Sequence, residues 1–98
     1  MSESKSKRYR DRIYIIKDII IKLMERGQLN QTELITFCGL NLKKHKYILD
    51  ELEFNKLIEK NEVSVGKKTI ILYKSTPKGL EFCKKILEPY EEFFPRKQ

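Results

Sequence analysis

Apolar residues recur at helical spacing from about Tyr9 to Arg26. On a wheel turning about 100° per residue, Ile13, Ile16, Ile20, Leu23 and Met24 share one side. Ile15 and Ile19 widen that stripe to nearly half the circumference, leaving Tyr14 and Ile21 outside it. A surface helix needs a stripe only somewhat over about 100° wide. The excess predicts a second buried surface, against another subunit or against hairpin and C-terminal residues of the same chain. Gly27 stops this helix, since glycine readily takes the left-handed conformation just past a helix end.

Asn30 and Glu33 have the spacing of a capping box, so a short helix is expected from about Gln31 to Cys38, ending at Gly39. Asn41 then caps a longer helix, about Leu42 to Asn55. Ile48, Leu49 and Leu52 form its core stripe, joined by Leu42 or His45, which turns Lys43, Lys44, Lys46, Tyr47 and Asp50 outward. Beyond it the period changes from helical to alternating. Ile58 to Val65 contains the alternation Glu62-Val63-Ser64-Val65, and Thr69 to Lys74 is rich in β-branched and aromatic residues. Gly66 between them suits a tight hairpin turn, and Gln28-Leu29 is a candidate short third strand. Thr76 followed by Pro77 supplies an N-cap and a first helical residue for a last helix reaching at least Leu87. Pro89 must end or kink it, with Tyr90 to Phe94 able to resume as a helical turn.

The order is helix, helix, helix, strand, strand, helix. It predicts an α+β fold with the outline of a winged helix-turn-helix: three helices, a β-hairpin wing and a C-terminal helix. Residues 1–8, rich in Ser and Lys, are expected to form a disordered basic leader, residues 9–76 the domain, and residues 77–98 a C-terminal helix that dimerises. In that last helix Leu80, Cys83, Leu87, Tyr90 and Phe94 fall at heptad a/d spacing, while Phe82, Ile86 and Phe93 mark a neighbouring face. Ile15 and Ile19 with Leu80, Cys83, Leu87, Tyr90 and Phe94 are therefore the candidate homodimer interface. Packing within one chain is the alternative.

Ninety-eight residues allow one domain with a modest core. Twenty-one Lys and Arg against 14 Asp and Glu give a formal charge of +7, which favours a polyanionic partner, nucleic acid or an anionic membrane surface. No apolar run approaches the roughly 18–20 residues of a membrane-spanning helix. The charged N-terminus has no apolar segment of a secretory signal after it, so a cytoplasmic, nucleoid-associated protein is expected. Cys38, Cys83 and His45 are too few and too scattered for a metal site, and the cysteines read as small core or interface residues, with a disulfide between them as the alternative. A single histidine, distant cysteines, and the lack of a glycine-rich phosphate loop or paired carboxylates argue against an enzyme. No cofactor and no small-molecule substrate are expected.

The start of the third helix is the sharpest candidate site. Its unpaired N–H groups and positive dipole end attract phosphate, and its first turns carry Asn41, Lys43, Lys44, Lys46 and Tyr47. Gln31 and Thr32, opening the second helix, are candidates for backbone phosphate contacts or simply for capping. Lys67 and Lys68 at the hairpin turn fit a flanking phosphate contact, although hairpin tips also carry lysine for solubility. Lys5, Lys7, Arg8, Arg10 and Arg12 could serve as a basic arm. His45 reads as a packed or capping residue rather than a reader of bases.

Two segments carry a family resemblance: Leu49-x-x-Leu52-x-x-x-x-Leu57-Ile58, and Tyr73-Lys74-Ser75-Thr76-Pro77-Lys78-Gly79-Leu80-Glu81-Phe82. Together they resemble the archaeal winged-helix proteins, most closely the small chromatin-associated DNA-binding type with a C-terminal dimerisation helix. The second is similar to the "Y-x-L-T-x-K-G" entry to the last helix of many winged-helix regulators. The resemblance spans roughly residues 10–88. It implies DNA binding through the third helix and wing, and dimers formed through the last helix. Two departures stand out: Lys56 occupies the usual glycine position before the Leu-Ile pair, and Pro89 interrupts the last helix early. The expected function is double-stranded DNA binding by a homodimeric transcription regulator or nucleoid-associated protein. The alternative is a winged-helix protein–protein interaction module. An RNA-binding module is disfavoured by the scarcity of clustered aromatics.

Overall fold

A computed structural model of the chain describes residues 2–96, with side chains described from Arg12 to Arg96. Helix α1 spans Ser2–Arg26 and β1 Leu29–Asn30; α2 (Gln31–Cys38) and α3 (Leu42–Phe54) follow, then β2 (Ile58–Val65) and β3 (Lys68–Ser75). The C-terminal stretch comprises α4 (Pro77–Phe82), a π-helical turn (Cys83–Leu87) and α5 (Glu88–Phe93). The architecture is mixed α+β, with helices around a three-stranded antiparallel sheet of order β1-β3-β2. Helix α1 starts upstream of Tyr9, so the segment expected as a disordered leader is helical backbone from Ser2 onward. Its Lys, Arg and Glu residues are good helix formers and extend the apolar-patterned part. The arm side chains Lys5, Lys7, Arg8 and Arg10 lie outside the described residues.

Capping fixes the helix boundaries. Asn30 Oδ1 accepts from the Glu33 N–H at 2.8 Å while Glu33 Oε1 accepts from the Asn30 N–H at 3.0 Å, closing the capping box of α2. At the far end Gly39 is left-handed, and the Leu40 N–H reaches back to Ile35 O at 2.9 Å. Helix α3 ends in the same motif: the Leu57 N–H donates to Leu52 O and the Lys56 N–H to Glu53 O. There the left-handed residue is Lys56, at φ 63°.

One hydrophobic core joins all parts. Ile16, Ile19, Ile20 and Leu23 of α1 meet Leu34, Ile48, Leu49, Leu52, Ile58 and Tyr73, and the C-terminal stretch adds Cys83 and Leu87. Of the expected dimer seam, Ile19, Cys83 and Leu87 are fully buried inside the single chain. Ile15 and Leu80 are half-buried against the same core, Tyr90 packs edge-on against Tyr14, and only Phe94 is exposed at 54%. The wide apolar face of α1 is thus covered within the chain. Tyr14, outside the stripe on the wheel, is buried because α5 folds over it and its hydroxyl donates to the carbonyl of Phe94. Met24, inside the stripe, is exposed near the helix end.

Pro89 does not end the last helix, which continues through α5 to Phe93. The π turn ends at Leu87, two residues before it, and the Glu88 N–H donates to Cys83 O, five residues back. The wider turn accommodates a ring that would clash with the carbonyl four residues earlier in a regular α-helix.

Candidate nucleic-acid interface

The N-terminal half of α3 presents Lys43, Lys44, Lys46 and Tyr47 to solvent, Tyr47 at 56% exposure. That orientation follows from the buried stripe Ile48, Leu49 and Leu52 on the opposite side. The first turn contains no acidic residue. Asp50, Glu51 and Glu53 lie in the second half instead, so charge runs against the preference of the helix dipole. Each charge placed against the dipole costs about 0.3–1 kcal/mol at most, and a bound anion reverses the sign of that term.

The acidic residues of α3 are all paired. Asp50 holds Lys46 at 3.2 Å, Glu53 holds Lys60 at 3.5 Å, and Glu51 holds Arg12. Lys43 and Lys44 make no ion pair among the described residues. Within α3 they are the lysines not already held by a carboxylate.

Asn41 and His45 serve the helix itself. Asn41 Oδ1 accepts from the Lys44 N–H at 3.3 Å, and the Asn41 N–H donates to His45 Nδ1 at 2.8 Å. The imidazole therefore acts as a capping acceptor, and the Asn41 oxygen caps the first turn of α3. Gln31 is half-buried and Thr32 exposed in the first turn of α2. Lys67 and Lys68 sit exposed at the hairpin turn, where Gly66 has φ 63° and Val65 pairs with Lys68 across a two-residue loop. From Glu59 to Thr69 the hairpin is solvent-exposed. Its base is anchored by Ile58 and Tyr73 in the core.

Phe54 was not among the candidates and is 84% exposed. It lies seven residues beyond Tyr47 and eleven beyond Lys43, a spacing that puts all three on one helix face.

Elsewhere a groove of about 250 Å³ between α1 and α2 is lined by Asp18, Ile21, Lys22, Glu25, Phe37 and Cys38. Cys38 is half-buried and Cys83 buried, both as free thiols. Burial, reinforced by Asp18, pushes the Cys38 thiol up to about 11, so it is protonated and a poor nucleophile at neutral pH. Among the described residues no group of three or more His, Cys, Asp or Glu could hold a metal ion. No described helix is long and apolar enough to cross a membrane.

No family model matches the chain, and no curated protein is significantly similar to it.

Proposed function

We propose that this chain is a winged helix-turn-helix domain of the archaeal chromatin-associated kind, binding double-stranded DNA with α3 in the major groove and the Lys67–Lys68 turn on the flanking backbone. The observation that carries this reading is the set of exposed lysines, Lys43, Lys44 and Lys46, at the positive end of α3. Phosphate is the ligand that turns this unfavourable arrangement into a favourable one. With Asn41 and His45 serving as caps, the lysines are the charged groups this turn presents, and lysine–phosphate contacts are favoured over base readout. That suits a nucleoid-associated protein better than a sequence-selective regulator, with no catalytic role and a place on the chromosome in the cytoplasm.

A protein–protein interaction module is the second reading. It is favoured by Tyr47 and Phe54, two exposed aromatics on the outward face of α3.

Fluorescence anisotropy with random duplex DNA across a salt series tests the first reading. The expected result is steep salt dependence, with Lys43→Ala/Lys44→Ala weakening binding about tenfold or more and lowering the salt slope by about two. Unchanged affinity in that variant removes α3 from the interface. No binding by the parent chain at low salt overturns the DNA reading and leaves the protein-interaction module, whose binding should then depend on Phe54.

A further inference from the structure

Strand β2 is the outer edge of the sheet, and nothing described covers it. It runs eight residues in unbroken one-to-one register with β3, without proline, glycine or bulge, and every residue after Ile58 is exposed. Edges this long and regular are templates for another strand, and natural proteins usually shorten, kink or cover them. The opposite edge, β1, is two residues long.

The two-residue turn sets which groups face outward. In such a hairpin Val65 and Lys68 exchange hydrogen bonds, so alternate residues going back along β2 turn their N–H and C=O groups to the open edge. Those residues are Ser64, Glu62 and Lys60.

Their charges are self-complementary. If a second copy pairs antiparallel about a two-fold axis at Asn61, Lys60 of each copy lies opposite Glu62 of the other. Both pairs fall at hydrogen-bonded positions of the new ladder. Centring the pairing on Lys60 or on Glu62 instead puts like charges face to face, which is destabilising. Lys60 already lies 3.5 Å from Glu53, so its ammonium would sit between two carboxylates.

We infer that β2 is the edge through which two copies of this chain join, antiparallel and centred on Asn61, into a continuous six-stranded sheet. This pairing uses none of Lys43, Lys44 and Lys46, and it stands independently of the DNA reading. It also places the dimer contact away from Ile19, Cys83 and Leu87, which the chain's own core takes up.

The test combines sedimentation over a concentration series with amide hydrogen exchange on the full chain. Lys60→Glu and Glu62→Lys should each weaken association about tenfold, and the double swap should restore it. Glu62 makes no ion pair among the described residues, so Glu62→Lys tests the contact without disturbing a described intrachain bridge. Thermal melts confirm that each variant is folded. The amides of Lys60, Glu62 and Ser64 should gain protection as concentration rises, while those of Val63 and Val65 are protected throughout by β3. A chain that stays monomeric to millimolar concentration overturns the inference. So does a dimer indifferent to the charge swap with those three amides unprotected, as expected for a contact through Ile86 and Phe93.

Discussion

Gly79 lies directly against the carbonyl of Leu57: a methyl group built on its Cα would overlap that oxygen and come within 3.0 Å of the carbonyl carbon. The contact joins the two segments that carry the family resemblance. Around it Thr76 acts as a staple. Its hydroxyl lies 2.7 Å from Lys56 O, the Gly79 N–H donates to Thr76 Oγ1 at 3.0 Å, and the Thr76 N–H donates to Leu57 O at 3.2 Å. Helix α4 thus starts against the end of α3.

Gly79→Ala should therefore destabilise the protein. In an open helix the same change gains about 1 kcal/mol from helix propensity. Here a backbone oxygen blocks the methyl and cannot swing aside as a side chain could, so a net loss of about 1–3 kcal/mol is expected. Urea denaturation monitored by circular dichroism reads the sign directly.

Lys56→Gly, at the residue preceding Leu57, should act in the opposite direction. Lys56 is the only described non-glycine residue at positive φ, at the position where α2 uses Gly39. A side chain in the left-handed region costs about 1–2 kcal/mol, part of which glycine returns through its freer unfolded state. A gain of about 0.5–1 kcal/mol is expected, a rise in Tm of a few degrees in a scanning calorimeter.

These two positions show what could be read in the sequence. Asn30-x-x-Glu33, Asn41 and Thr76-Pro77 set the starts of α2, α3 and α4 where local chemistry alone places them, because a cap needs only its own first turn. The hairpin followed from alternation and Gly66. The fate of the apolar C-terminal residues did not, because heptad spacing fits packing on a second copy and packing on α1 equally well. Folding α5 back over Tyr14 decided it, through contacts between residues more than 70 positions apart. On the candidate site the outward lysines were legible, since Ile48, Leu49 and Leu52 define the opposite face. The pairing of Lys46 with Asp50 is an i,i+4 relation that the spacing contains. The capping role of His45 toward Asn41 depends on ring orientation, which spacing only suggests.

The inward turn of the C-terminal stretch separates neighbours sharply. Leu87 is 1% exposed and Ile86 52% exposed. Leu87→Ala should cost about 2–5 kcal/mol, and Ile86→Ala less than about 0.5 kcal/mol. Melts at several protein concentrations should give the same Leu87 deficit throughout. A deficit that grows with concentration would mean that Leu87 packs against a second copy.

The clasp that holds the C-terminus on α1 gives a pH prediction. Glu91 accepts from Arg96 Nε at 2.7 Å and Nη2 at 3.2 Å, and from Lys17 Nζ at 2.8 Å, while Arg96 Nη1 donates to Asp18 Oδ2 at 3.1 Å. The Arg96 guanidinium also lies 4.8 Å from the centre of the Tyr14 ring. Hydrogen bonds from Arg96, then from Lys17, lower the Glu91 carboxyl from an ordinary 4.5 to about 2. A carboxylate depressed in this way favours the folded state above its unfolded pKa, and that contribution is lost as pH falls toward the folded value. Glu91→Gln keeps the shape but not the charge. The variant should be less stable by about 1 kcal/mol at neutral pH, a modest figure because the cluster lies at the surface. The gap between the two proteins should hold down to about pH 5 and close between about 4.5 and 2. Other carboxylates titrate over the same range in both proteins, so the difference between parent and variant isolates Glu91. A gap that persists unchanged at pH 2 would mean that Glu91 acts through packing rather than charge.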